Sequence, residues 1–296
     1  MAQALPTRSV VYEGPMNNTT IWERFTLRPD DIFVVTPPKC GTTWTQIIIT
    51  SLIAGRPLSP REMGDVSYWL DCALDNPIAN MEKFDKQDFR RCIKSHTPLD
   101  GVPYDRRCTY IAVYRHPIDV HFSMRTHASN MESDVMRRRY PDDPAEAFRM
   151  FLEDELYDGS IDALDLHSIA YHFASFKKWE HLPNVHLFHY ANMKADLGGT
   201  VARFARILGM DENDPLVDQI AQDTSFASLK KKAIEGDKTA EGDGFYLASK
   251  FFDSGTSNKW EGKLSSDQLA AFDARMKALL LDNQAAWLLW GSKGRP

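Results

Sequence analysis

The feature of this sequence that most restricts its fold is the alternation of short apolar segments with longer helical patterns. Four segments are predicted to be strands, at 31–36, 91–94, 109–114 and 185–188. Helical patterns lie between or after them, at 42–54, 144–157, 168–181 and 199–208. Strands that alternate with helices predict an α/β fold with a central, mostly parallel sheet flanked by helices on both faces.

Length and charge narrow the class of protein further. The chain has 296 residues and contains no internal repeat, low-complexity tract or Gly/Ser linker, so we expect a single domain over 1–296. Its 35 basic and 41 acidic residues give a net charge of −6, which argues against a general nucleic-acid binder. A small anion is still an allowed ligand, because it needs only a local cluster of donors and cations.

The cysteines and the apolar segments indicate the compartment. Cys40, Cys72, Cys92 and Cys108 form neither a disulfide framework nor a CxxC pair, which predicts reduced thiols and no zinc ribbon. No apolar run at the N-terminus is long enough for a signal peptide, and the stretch that begins near Trp44 is too short to span a membrane. We therefore expect a soluble cytoplasmic protein, and no metal-ligand cluster is visible.

The strongest local signal is the segment 36–44, in which a strand leads through a tight loop into a helix. Backbone N–H groups at such a helix N-terminus lack partners, and the helix dipole attracts negative charge. Lys39 adds a cation, and Thr42 and Thr43 add hydroxyl donors, so the segment predicts a phosphate site. The alternative is a plain turn with an incidental lysine. Lys39 precedes the only glycine, Gly41, which disfavours the Walker A loop of an ordinary ATPase or GTPase.

Two further strand ends carry candidate functional residues. Arg115 directly follows the strand 109–114, at the edge where open α/β sheets bind ligands, and Ser123 follows in a segment that begins a helix. Arginine suits bidentate phosphate recognition, although an Arg115–Asp119 ion pair explains the segment equally well. At the end of another strand, Lys94 and His96 point to one face, where histidine can act as a base beside a cation. A purely structural histidine is the alternative.

Taken together, these segments resemble the cytosolic-type sulfotransferases that use 3′-phosphoadenosine 5′-phosphosulfate (PAPS). Matches to the phosphosulfate loop (38–44), the catalytic strand end (94–98), the 3′-phosphate motif (115–123) and two weaker blocks (190–194 and 223–230) occur in family order. The resemblance covers roughly residues 30–265, with Cys40 where the family usually has serine. The segments 91–101 and 181–190 are similar to those of bacterial glycolipid sulfotransferases.

The resemblance implies a P-loop-NTPase-like nucleotide-binding core and transfer of a sulfuryl group to a hydroxyl acceptor, such as a glycolipid, a phenol or another small alcohol. PAPS would be the co-substrate and 3′-phosphoadenosine 5′-phosphate (PAP) the product, with no metal. His96 would be the base, Lys94 would assist it, and Lys39 would stabilise the leaving phosphate. The implied nucleotide site comprises the loop residues Lys39, Cys40, Gly41, Thr42 and Thr43, the adenine-pocket residues Trp44, Tyr190, Thr224 and Phe226, the 3′-phosphate ligands Arg115 and Ser123, and Gly255.

One segment departs from the family pattern. Within 251–261, Asp253 and Ser254 stand where the family has arginine and lysine, and that arginine contacts the 3′-phosphate. Either Lys250, Lys259 or a lysine of 230–232 supplies the missing charge, or the loop no longer closes and catalysis is reduced or lost. The second outcome corresponds to one alternative function, a nucleotide-binding protein of the same fold with reduced or lost catalysis. Another alternative, independent of this segment, is a kinase-type phosphotransferase. The latter requires a Mg²⁺-binding carboxylate and a Walker lysine, which are not evident.

Other properties stay open at this level. The segment 126–143 is predicted to be a surface excursion, and its three arginines at 137–139 could contact an anionic substrate or only solvent. The segments 66–74 and 245–247 could form an apolar mouth for the acceptor or belong to the core. The family's dimerisation pattern is missing, so the sequence does not define the oligomeric state.

Overall fold

The computed structural model describes residues 4–130, 140–153, 165–237, 255, 257–258, 260–292 and 294. Its strands are β1 (Ile32–Val35), β2 (Cys92–Ser95), β3 (Thr109–Tyr114) and β4 (Val185–His189). They form one sheet in the order β2-β1-β3-β4, and every pairing is parallel. The predicted parallel α/β sheet is therefore confirmed.

Helices cover both faces of this sheet. The α-helices of the described residues are α1 (Thr42–Ala54), α2 (Pro60–Gly64), α3 (Pro77–Lys86), α4 (Pro117–Ser129), α5 (Pro144–Glu153), α6 (Leu166–Lys177), α7 (Tyr190–Ala195), α8 (Leu197–Ile207), α9 (Pro215–Asp223), α10 (Phe226–Asp237), α11 (Ser266–Leu279) and α12 (Asp282–Trp290). None of them is long and apolar enough to cross a membrane.

The two faces of the sheet contribute to two separate hydrophobic clusters. Phe33 and Val35 of β1 pack into one cluster with α5, α6, α11 and α12, whereas Ile32 and Val34 pack into the other with α1, α8 and α9. This alternation follows from the two-residue period of a strand. All residues of β1 and β3 are buried, which explains why both segments are almost continuously apolar.

The strand order places one edge of the sheet in a position to bind ligands. The chain leaves β1 towards β2 on one side and leaves β3 towards β4 on the other, so a topological switch point lies between β1 and β3. Open α/β sheets bind ligands at such a point, beyond the carboxyl ends of the strands. The loop 36–41 follows β1 and Arg115 follows β3, so both lie at this edge.

Local sequence signals predict some boundaries better than others. The predicted helix 42–54 is confirmed at both ends, and Gly55 ends it with a φ of 66°. The helix predicted over 168–181 instead begins at Leu166, because Asp165 caps it by accepting the Ser168 N–H at 2.7 Å, and it ends at Lys177. The predicted surface excursion 126–143 is wrong at its start, since α4 continues to Ser129; residues 131–139, including the three arginines, lie outside the described residues.

Candidate active site

The loop after β1 has a backbone that only a few residue types adopt easily. Gly41, the N-cap of α1, has a φ of 110°, and a Cβ there would lie 3.1 Å from Cδ2 of Tyr190. Lys39 has a φ of 64°, a left-handed conformation that costs a non-glycine residue free energy. Gly41 offers no side chain to cap the first turn of α1. The first turn of α1 therefore has no side-chain cap and lies beside a lysine, an arrangement that suits an anion, and we refer to residues 36–41 as the anion-site loop.

The other loop residues have different surroundings. Thr42 is buried, and its hydroxyl hydrogen-bonds to that of Thr36, whereas Thr43 is half-buried. The Cys40 side chain is fully buried in the core, and burial raises the pKa of its thiol to about 12. Cys40 therefore contributes a neutral core side chain rather than a charged ligand.

The predicted adenine-pocket residues lie next to one another. The Trp44 indole N–H donates to the Thr224 carbonyl at 2.7 Å, and its ring meets that of Tyr190 edge-on with centroids 5.5 Å apart. Gly255 has a φ of 58°, and a Cβ there would lie 2.5 Å from the Phe226 ring, so only glycine fits. These contacts connect the predicted adenine-pocket residues with one another, namely Trp44, Tyr190, Thr224, Phe226 and Gly255.

Arg115 connects the loop to this aromatic group. Its guanidinium lies 4.6 Å from the centroid of the Tyr190 ring, and its Nη1 lies 3.5 Å from the Lys39 carbonyl oxygen. Its Nε lies 4.0 Å from Asp119 Oδ2, so the ion pair considered from the sequence is present as a long contact. Ser123 lies half-buried in the second turn of α4. Arg115 is thus a buried cation at the carboxyl end of β3, beside the anion-site loop.

The described part of the segment that departs from the family pattern packs close to Arg115. The Asn258 N–H donates to Asp119 Oδ2 at 2.9 Å, and the Trp260 ring stacks on His116 with centroids 5.3 Å apart. Lys232 forms an ion pair with Asp223 at 3.2 Å, so its ammonium is already engaged. The residues Lys250, Asp253, Ser254 and Lys259 and the segment 245–247 lie outside the described residues.

His96 has the tautomer that a general base requires. Its Nδ1 lies 2.6 Å from the Thr36 carbonyl oxygen, and because a carbonyl only accepts, Nδ1 carries the proton. The lone pair is then on Nε2. Burial and the positive charges of Lys94 and Lys39 hold the pKa of His96 well below its usual value, so the ring is neutral at pH 7. A neutral imidazole with a lone pair on Nε2 can accept a proton.

Lys94 lies beside this histidine and keeps most of its charge at neutral pH. Burial lowers the pKa of Lys94 to about 8, and the neighbouring side chains of Cys72 and Asp71 oppose that decrease. Its ammonium lies 4.4 Å from the centroid of the Trp69 ring, a cation–π contact. The same ring meets His96 edge-on, with centroids 4.6 Å apart. Trp69 therefore contacts both predicted catalytic side chains, Lys94 in β2 and His96 directly after it.

Asp71 fixes the position of Trp69. Asp71 was not identified from the sequence as a residue of the site. This fully buried carboxylate accepts the indole N–H of Trp69 at 2.8 Å and the hydroxyls of Ser95 and Thr97 at 2.7 and 2.8 Å. Trp22 donates a further bond at 3.3 Å. Burial raises the pKa of Asp71, whereas these donors lower it. The only sequence signal for Asp71 was an acidic residue inside the apolar segment 66–74. That segment serves two purposes, since Leu70 is buried in the core whereas Trp69 contacts Lys94 and His96.

The comparisons with known proteins define the class of this chain. Residues 29–284 match the family model of the sulfotransferase domain. The chain therefore belongs to the sulfotransferase family, whose members are enzymes. This assignment removes the kinase-type phosphotransferase from the alternatives.

Individual relatives are more specific. The chain is 31% identical to a glycolipid sulfotransferase of Mycobacterium bovis, over 97% of this chain and 96% of the relative. It is 28% identical to sulfotransferase 1E1 of Bos taurus, over 70% of this chain and 68% of the relative. A crystal structure of mouse sulfotransferase SULT7A1 complexed with PAP has the same fold, with a TM-score of 0.66 and 21% identity over 90% of each chain.

Proposed function

We propose that this sulfotransferase moves the sulfuryl group of PAPS to a hydroxyl acceptor, with His96 as the general base. The observation that carries the proposal is the fixed tautomer of His96. Its Nδ1–H is bonded to the Thr36 carbonyl at the start of the anion-site loop, so that Nε2 is left as the proton acceptor. A base and an anion site at neighbouring strand ends are what a transfer from an anionic donor to an alcohol requires, so this arrangement supports the proposal.

The side chains around the loop suit a nucleotide with two separate phosphate groups. Lys39 and the N-terminus of α1 would hold the 5′-phosphosulfate, and the buried Arg115 with Ser123 would hold the 3′-phosphate. Trp44 and Tyr190 offer ring surfaces for the adenine. The solved relative that binds PAP supports this choice of nucleotide.

Each group of the chain has a definite part in the proposed transfer. The acceptor oxygen forms a bond to sulfur as the bond from sulfur to the bridging oxygen of the nucleotide breaks, and PAP leaves. The hydroxyl proton goes to Nε2 of His96. Negative charge grows on the bridging oxygen, so a lysine directed at it stabilises the transition state more than the ground state. Lys39 has this role, and Lys94 adds positive charge next to the base.

The names of the relatives support one class of acceptor. Three of them bear the name glycolipid sulfotransferase and match over nearly the whole chain, so we propose an acceptor in which a hydroxyl group is attached to a lipid or another apolar body. The rival function is a nucleotide-binding protein that has lost catalysis. The substitution at Asp253 is the observation that favours it, because an aspartate repels a 3′-phosphate.

Calorimetric titration with PAP, AMP and ATP tests the nucleotide assignment. We expect PAP to bind at least about tenfold more tightly than AMP, because the additional phosphate gains charge-assisted hydrogen bonds worth about 1.5–3 kcal/mol. Arg115→Met should bring the two affinities close together. Equal affinities in the unaltered protein would mean that the 3′-phosphate site is lost.

A further inference from the structure

A small cavity lies directly beside His96. It has a volume of about 20 Å³ and is lined by His96, by the prolines that begin the anion-site loop (Pro37 and Pro38), and by Ser168 and His172 of α6. That volume accommodates the centre of one water molecule or one oxygen atom of a larger molecule. The remaining lining is mostly apolar and comes from Pro98, Val120, Met124 and Ile169.

Two polar atoms of the cavity-lining residues lack hydrogen-bond partners within the described part of the chain. They are the Ser168 hydroxyl oxygen and Nε2 of His172, and the two residues are only 6% and 2% exposed. A buried polar atom without a partner costs about 1–3 kcal/mol, so native proteins rarely leave two of them side by side. The residues are four apart on one helix and therefore share a face.

Both residues are held in place by contacts that leave these atoms available. His172 Nδ1 lies 3.0 Å from the Tyr114 hydroxyl, and the ring stacks on Phe176 with centroids 5.2 Å apart. Burial lowers the pKa of His172 to about 3, so the ring is neutral and Nε2 can donate or accept one hydrogen bond. The backbone N–H of Ser168 is bonded to Asp165, which fixes the first turn of α6.

We propose that this cavity is a subsite for a second oxygen atom of the acceptor, next to the hydroxyl that receives the sulfuryl group. The inference rests on the proposed function and makes its substrate class more specific. Because the cavity borders His96, an oxygen on the carbon adjacent to the reacting one is placed to bond Ser168 and His172. The acceptor is therefore a vicinal diol, the arrangement found in sugar rings and in glycerol headgroups, with its apolar part directed away from the loop.

The energetic consequence is selectivity for two neighbouring oxygens. A site built to hydrogen-bond a hydroxyl rejects the analogue that lacks it, because the buried donors and acceptors are then left unpaired. A single alcohol leaves the Ser168 and His172 atoms unpaired, whereas a vicinal diol satisfies both. The cavity thus distinguishes acceptors that have the same reacting group.

The test compares kcat/KM for PAPS-dependent sulfation of 1,2-hexanediol, 1,6-hexanediol and 1-hexanol. We expect the unaltered enzyme to prefer the 1,2-diol over both other acceptors by at least about tenfold, which corresponds to about 1.4 kcal/mol. Ser168→Ala and His172→Phe should each reduce this preference to less than about threefold, while the kcat/KM for 1-hexanol changes little. Ser129→Ala, which alters a serine at the exposed end of α4, is the control and should retain the preference.

The possible outcomes separate the two proposals. Sulfation of all three acceptors at equal rates, or a preference that survives both variants, overturns the subsite alone and means that a water molecule or nothing occupies the cavity. Absence of transfer to all three acceptors overturns the subsite, and the proposed function falls with it if an alkyl glucoside and a lipid extract also receive no sulfuryl group. Loss of the preference in Ser168→Ala with transfer to 1-hexanol intact supports the subsite, because a misfolded variant would lose both activities.

Discussion

Replacing His96 with glutamine is expected to lower kcat for sulfuryl transfer by about 10²- to 10⁴-fold, the contribution of a positioned general base. The glutamine amide can still donate to the Thr36 carbonyl, so the local structure is retained while the proton acceptor is lost. The affinity for PAP, measured by calorimetry, should change less than about threefold, because the nucleotide contacts lie on the other strand ends. A rate of transfer equal to that of the unaltered enzyme would show that His96 is not the base.

The same assignment determines how the rate depends on pH. Since the pKa of His96 lies well below 6.5, the imidazole stays neutral as the pH falls from 7 towards 6, and kcat/KM for PAPS should remain level there. Above about pH 8, Lys94 loses its proton, and kcat/KM should decrease as its positive charge disappears.

Addition of imidazole to His96→Ala should restore part of the transfer at neutral pH.

Replacing Lys39 with alanine should lower kcat by about 10²- to 10³-fold, because the ammonium stabilises charge that develops on the leaving phosphate. The affinity for PAP should fall by about tenfold as well, since a charge-assisted hydrogen bond contributes about 1.5–3 kcal/mol. The combined loss distinguishes Lys39 from His96, which acts on the proton alone. Transfer assays and calorimetry on the same preparation measure both effects.

A suitable control for Lys39→Ala is Lys86→Ala, which removes an exposed lysine at the end of α3. It changes the net charge of the protein by the same amount without altering the loop. Lys39→Arg retains the charge and should recover most of the nucleotide affinity, although the larger guanidinium places that charge differently. An unchanged kcat in Lys39→Ala would remove Lys39 from the mechanism.

Local signals made much of the sheet and the loop predictable. The helix over 42–54 could be located to the residue, because a loop glycine precedes it and Gly55 takes the left-handed conformation that ends it. Lys94 and His96 were placed together because residues two apart in a strand share a face. The strand over 109–114 was located to the residue and the other three to within one residue at each end. Strands covered on both faces are almost continuously apolar, which makes such segments easy to recognise.

Long-range contacts account for what the sequence could not reveal. Asp71 belongs to the site only because Trp69 pairs with β2 at Lys94, which no local pattern encodes. The bond from the Asn258 N–H to Asp119 joins residues 139 positions apart. The cavity at Ser168 and His172 is formed where α6 lies beside the prolines of the loop. An amphipathic helical pattern does not reveal which groups the buried polar residues of the helix contact.

The most direct test of the central claim is transfer of ³⁵S from labelled PAPS to an alcohol, measured together with the release of PAP. The acceptors are 1,2-hexanediol, an alkyl glucoside and a lipid extract, with a reaction without acceptor as the background. We predict labelled acceptor and PAP in equal amounts, and loss of both in His96→Gln. Tight binding of PAP without any labelled product would contradict the account and leave a nucleotide-binding protein that has lost catalysis.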